Sequence, residues 1–167
     1  GNTATVSIVV AATPPPTRWV PSALRTLGGA FGKATAINNN GVVVGQSARP
    51  AGDGYSAVVW RPSGDIVELR SSAQYSAATA VNDAGDVIAI ESGVPDVSGI
   101  WWAGDPFARQ EVPCRLFMCE AAGINNAGIV VGRYAHSFGF RWDRRAPLPW
   151  TELFYSATAR DINNVGQ

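Results

Sequence analysis

The amino-acid sequence predicts an all-β protein: four-stranded repeats of about 42 residues, β-propeller-like, with a protruding or exchanged N-terminal strand. Three observations carry this reading. One turn motif recurs four times along the chain. Two further landmarks follow it in phase, a segment ending in Trp and a Glu–hydrophobic pair. No stretch keeps the 3.6-residue periodicity of a helix longer than two turns.

The turn comes first in each copy. Ile37-Asn38-Asn39-Asn40-Gly41, Val81-Asn82-Asp83-Ala84-Gly85, Ile124-Asn125-Asn126-Ala127-Gly128 and Ile162-Asn163-Asn164-Val165-Gly166 are spaced by 44, 43 and 38 residues. Small residues alternate before the Asn (Ala34 and Ala36, Ala78 and Ala80), the two-residue period of a strand. The Asn side chain can bond the backbone two residues on. The Gly three positions later can take the positive φ of a hairpin closed by a bulge. A Val/Ile-rich strand leaves the turn. The next strand ends in Trp60, Trp102 or Trp142, which their recurrence marks as core. The last carries Glu68-Leu69, Glu111-Val112 or Glu152-Leu153, which lie 8, 9 and 10 residues after those tryptophans.

Composition narrows the function. Thirteen basic and thirteen acidic side chains cancel, so no field draws nucleic acid or an anionic membrane. Charged residues are 16% and hydrophobic residues 46%, enough for a core and against disorder. The longest apolar run, Val6 to Ala12 with Ser7 inside it, is far short of the roughly 20 residues a spanning helix needs. Lys33 is the single lysine beside twelve arginines, and with the cysteine usage this leans towards an extracellular protein. Cys114 and Cys119 read as a local disulfide around Arg115 to Met118; with His136 alone they cannot complete a four-ligand zinc site.

The pattern Ala-x-Ala-Ile-Asn-x-x-Gly-x-Val-Val-Gly, a linker, then a short aromatic strand ending in Trp resembles the HAF-repeat family of predicted extracellular proteins. His136-Ser137-Phe138 stands at the family's His-Ala-Phe signature and Thr26-Leu27-Gly28-Gly29 at its Leu-Gly-Gly segment. Tyr55-Ser56-Ala57 and Val97-Ser98-Gly99 depart from the signature. The resemblance spans about residues 26–167 and implies an all-β, propeller-like secreted protein. It carries no catalytic residue onto this chain.

The chain divides into an N-terminal strand at 1–13, a Pro-rich linker and following strand at 14–25, and a repeat domain at 26–167 of three repeats and a partial fourth. Thr5, Val6, Ser7, Ile8, Val9 and Val10 form a strand by β-branched content. Pro14-Pro15-Pro16 makes a stiff, extended spacer behind it. That strand either closes a ring in cis or pairs head to tail with another copy, a contact that need not close and so builds a fibre.

Chemistry is sparse. No Gly-x-Ser-x-Gly, P-loop or His-Glu-x-x-His motif occurs, and His136 reads as a structural histidine. Glu68, Glu111 and Glu152 recur, which suits a repeated structural role; the singular acids Glu91, Asp96 and Asp105 are better candidates for hydrolysis. Asn82-Asp83-Ala84-Gly85-Asp86 reads as a turn rather than a calcium loop, because its sibling turns lack the acids. Trp19, Trp101 and Trp150 are candidates for a sugar platform or a subunit contact. The sequence therefore predicts a non-catalytic extracellular structural protein. It would need no metal or cofactor and would assemble as a homo-oligomer or polymer by N-terminal strand pairing. The alternative is a self-closed secreted propeller that binds carbohydrate or protein.

Overall fold

A computed structural model describes residues 22–70, 72–92, 97–102, 108–113, 119–135, 138–143, 145–146, 150–155 and 158–167. The fold among them is all-β, in two sheets, with no α-helix. The strands are β1 (Gly32–Ile37), β2 (Val43–Ala48), β3 (Tyr55–Trp60), β4 (Ile66–Glu68), β5 (Tyr75–Val81), β6 (Val87–Ser92), β7 (Val97–Trp102), β8 (Ala108–Glu111), β9 (Cys119–Ile124), β10 (Val130–Tyr134), β11 (Phe138–Trp142) and β12 (Trp150–Tyr155). Each sequence repeat is one antiparallel meander: β1-β2-β3-β4, β5-β6-β7-β8, β9-β10-β11-β12. A parallel bridge between Tyr55 and Tyr75 joins the first two meanders into one eight-stranded sheet.

The cores lie between successive meanders rather than within one. Val44, Val59 and Leu69 of the first pack with Ala78, Val87 and Ala89 of the second. On its other face, Ile88 and Val112 of the second pack with Ile124, Val130, Phe140 and Trp142 of the third. Strand β6 is thus covered on both faces. That is why Val87-Ile88-Ala89-Ile90 is a continuous apolar run and not an alternating one. Trp60 and Trp142 are buried, and the Trp60 indole N–H donates to the Arg25 carbonyl at 2.7 Å.

One expectation needs refinement. The alternation before each turn is broken by a bulge, at Thr35 in β1, Thr79 in β5 and Ala122 in β9. A bulge releases one residue from the ladder and re-aims its side chain. The freed Thr35 hydroxyl reaches both Val44 O in its own hairpin (3.0 Å) and Ala78 O in the next repeat (2.6 Å), and its one proton is shared between them. Thr79 repeats the arrangement with Ile88 O and Ala121 O, both at 3.4 Å.

Upstream of β1, the Leu27-Gly28-Gly29 segment lies along β2. Gly28 has φ +116°, and a Cβ on Gly29 would stand 2.5 Å from the Ala48 Cβ, so neither position takes a side chain without strain.

Candidate functional site

The turn motif forms the same structure in all four copies. In the first, Asn38 Oδ1 accepts from the amides of Asn40 and Val42, Gly41 N donates to Asn38 O, and Asn38 N donates to Val42 O. Asn125 and Asn163 make the corresponding bonds. Asn82 does so with Asp86 N, Asp86 O and Gly85 N. Gly41, Gly85, Gly128 and Gly166 all have positive φ, between 76° and 87°. One Asn oxygen thus satisfies the backbone donors of the turn, and the Gly supplies a conformation that a side chain would oppose.

The amide end of the same Asn points out of its own repeat. Asn38 Nδ2 donates to Asn82 O (2.9 Å), Asn82 Nδ2 to Asn125 O (3.0 Å), and Asn125 Nδ2 to Asn163 O (3.2 Å). A second column runs beside it. Asn39 N donates to Asp83 Oδ1 (3.0 Å), Asp83 N to Asn126 Oδ1 (2.8 Å), and Asn126 N to Asn164 Oδ1 (2.9 Å). Sequence reasoning saw the turns but missed this ladder. Its signal was present: the residue after the turn Asn is Asn or Asp in every copy.

Asp83 is the one charged rung. It also accepts from Asn39 Nδ2 and Asn126 Nδ2, and these hydrogen bonds, led by Asn126, hold its carboxyl below the ordinary value.

The two columns have a direction, because in each of their six rungs the donor belongs to the earlier repeat; the added bond from Asn126 Nδ2 to Asp83 runs the other way. Their two ends are therefore unlike. The Asn38–Asn39 end offers a carbonyl and a side-chain oxygen. Among the described residues, the Asn163–Asn164 end offers an amide NH2, which meets the Gln167 side chain at 3.4 Å, and a backbone N–H. The packing shows the same asymmetry. Ile37 is 67% exposed, whereas of its equivalents Val81 is half-buried and Ile124 and Ile162 are 6% and 8% exposed. Each of those is covered by a neighbouring repeat that Ile37 lacks among the described residues.

No known protein family, characterised protein or solved structure matches this chain.

The other expected site residues fall as follows. Thr5, Val6, Ser7, Ile8, Val9, Val10 and Trp19 lie outside the described residues, as do Asp96, Asp105, Cys114 and His136. Cys119 opens β9 and is buried. Trp101 stands in β7 opposite Val87 and Arg109, and its side chain is outside the described part. Trp150 is half-buried against the third repeat, stacked on Phe140 with ring centroids 4.5 Å apart and edge-on to Tyr134.

The recurring glutamates have structural partners. Glu68 accepts from the Ser56 hydroxyl (2.6 Å) and from Arg49 Nε (3.0 Å). Burial pushes its carboxyl up, but the Ser56 and Arg49 hydrogen bonds and the charges of Arg49 and Arg70 together outweigh burial and leave it below the ordinary value. Glu152 accepts from the Tyr134 hydroxyl, while Glu111 is exposed. The singular acid Glu91 is 3% exposed and paired with Arg109, whose Nε donates to it at 3.1 Å. A carboxylate neutralised in this way is poorly placed to give or take a proton.

Proposed function

We propose that this chain is a non-catalytic, extracellular structural protein whose propeller-like repeats assemble head to tail into a polymer. The Asn163–Asn164 end of one copy meets the Asn38–Asn39 end of the next, and the strand at residues 5–10 pairs across the same junction. A Cys114–Cys119 disulfide belongs to this reading, as does the resemblance to HAF-repeat proteins. The observation that carries it is the directional ladder with complementary ends, together with Ile37 exposed where its siblings are half-buried or buried. A heterologous contact of this kind repeats without closing. Main-chain and amide bonds would supply register, and covering Ile37 would supply apolar burial.

Light scattering and electron microscopy on the intact chain, on a chain starting at Thr17 and on Ile37→Asp test this. Ile37 is exposed, so the substitution leaves the fold intact. Extended assemblies from the intact chain, reduced to monomers in both variants, are the expected result. A second arm uses Asn39→Cys with Asn164→Cys in a mixture of isotopically light and heavy chains. Cross-links between light and heavy peptides are expected. A cross-link confined to one chain would mean that the ladder closes on itself, and the polymer would be ruled out in favour of a closed, binding propeller.

A further inference from the structure

Residues that only hold a repeat together recur, so a place where the copies diverge marks something local. Three positions before the turn Asn stand Thr35, Thr79, Ala122 and Arg160; eight after it stand Gln46, Ile90 and Arg133. The divergent residues of the later copies converge on one cavity of about 550 Å³. It lies between the second repeat, the third repeat and the segment at 158–160.

One wall of the cavity departs from the repeat pattern. Ala122 occupies the bulge where Thr35 and Thr79 place hydroxyls that bond the next repeat. With Ala there the third hydroxyl rung is missing, and that part of the wall is apolar. Charge collects at the same spot. Arg133 grips Glu120 through Nε at 2.9 Å and Nη2 at 2.7 Å, a two-point pair that is mutually neutral and fixed in place. Arg160, also on the wall, is exposed and has no carboxylate partner among the described residues. The site therefore holds one cation in excess, two threonine side chains (Thr79 and Thr158), and an apolar floor of Ile90 and alanines.

We propose that this cavity binds a small hydroxylated carboxylate, an acidic sugar of the uronate type. Its carboxylate pairs with Arg160, a geometry the planar guanidinium fits at two points. Its hydroxyls bond the outer lone pairs of Glu120 and the Thr158 hydroxyl. One face of its ring rests on Ile90 and Ala122. The volume falls in the range of small-ligand pockets, roughly 300–1,000 Å³.

Calorimetric titration with D-galacturonate, galactose and sodium sulfate tests this on the full chain and on Arg160→Glu. Arg160 is exposed, so the variant is expected to melt at the wild-type temperature. Galacturonate is expected to bind saturably at one site, galactose about tenfold or more weaker, and Arg160→Glu to lose about tenfold or more of the galacturonate affinity, as removal of a charged hydrogen bond implies. No saturable galacturonate binding would overturn the proposal, and so would equal affinity in Arg160→Glu. Sulfate displacing galacturonate at equal concentration would also overturn it, because the site would then select an inorganic anion and not a sugar acid.

Discussion

The turn asparagine does two jobs with one side chain. Its oxygen closes its own hairpin, and its nitrogen reaches the next. Asn82 shows the cost of losing both: it is buried, its Oδ1 accepts from Asp86 N, and its Nδ2 donates to Asn125 O and to Asp86 Oδ2. Removing one partner of a buried bond strands the other, at about 1–3 kcal/mol each. We expect Asn82→Ala to lower the unfolding free energy by about 2–4 kcal/mol in urea titration, and Asn163→Ala, exposed at the ladder's end, by well under half of that. The neighbouring column adds a pH dependence. The Asp83 and Glu68 carboxyls both lie below their ordinary values when folded. Their stabilisation is complete above the unfolded-state pKa values of about 4 and is lost as pH falls through the lower folded ones. Melting temperature should therefore drop from pH 5 to pH 3. The drop should be smaller in Asp83→Asn, which removes one of the two groups.

At the scale of elements, the middle meander differs from its neighbours because both of its faces are covered. Ile88 and Val87 are adjacent in β6 yet belong to two different cores. Ile88 is fully buried beneath the third repeat. Its truncation to Ala should cost about 2–5 kcal/mol, read as a lower urea midpoint. Ile37, at the equivalent place in relation to a turn as Ile124, would cost little on the same change, because its side chain is already in water. The comparison separates what a strand contributes by itself from what a neighbouring repeat adds.

For the whole molecule, the consequence is a chain of nearest-neighbour interfaces. Each repeat buries its apolar surface against the next, so stability is shared between adjacent meanders and not gathered in one centre. The interface between repeats has three layers: the apolar core, the Thr bulge rungs and the Asn–Asx ladder. The ladder columns are directional, so under the head-to-tail proposal another copy presented end to end would meet ladder chemistry of the kind that already joins the repeats. This is the physical basis of the head-to-tail proposal. It also explains why one position at the third interface stands out: Ala122 and Arg160 stand where the first two copies keep Thr35 and Thr79.

The sequence by itself determined the repeat, the all-β class, the turn and its positive-φ glycine. Those depend on local chemistry, where an Asn oxygen and a Gly backbone act within five residues of each other. It also marked Trp60 and Trp142 as core through recurrence. Only the tertiary structure decided what the other end of each Asn bonds, because that partner lies about 40 residues away in the chain and is chosen by how repeats stack. The bulge at Thr35 and Thr79 was hidden for a related reason: small residues spaced two apart look like an unbroken strand until the paired strand sets the register. The cavity beside Arg160 was equally illegible, since its wall draws on three separate stretches of chain. What the residues fix locally can be read in order along the chain; what they fix across a repeat interface requires the repeats to be brought together.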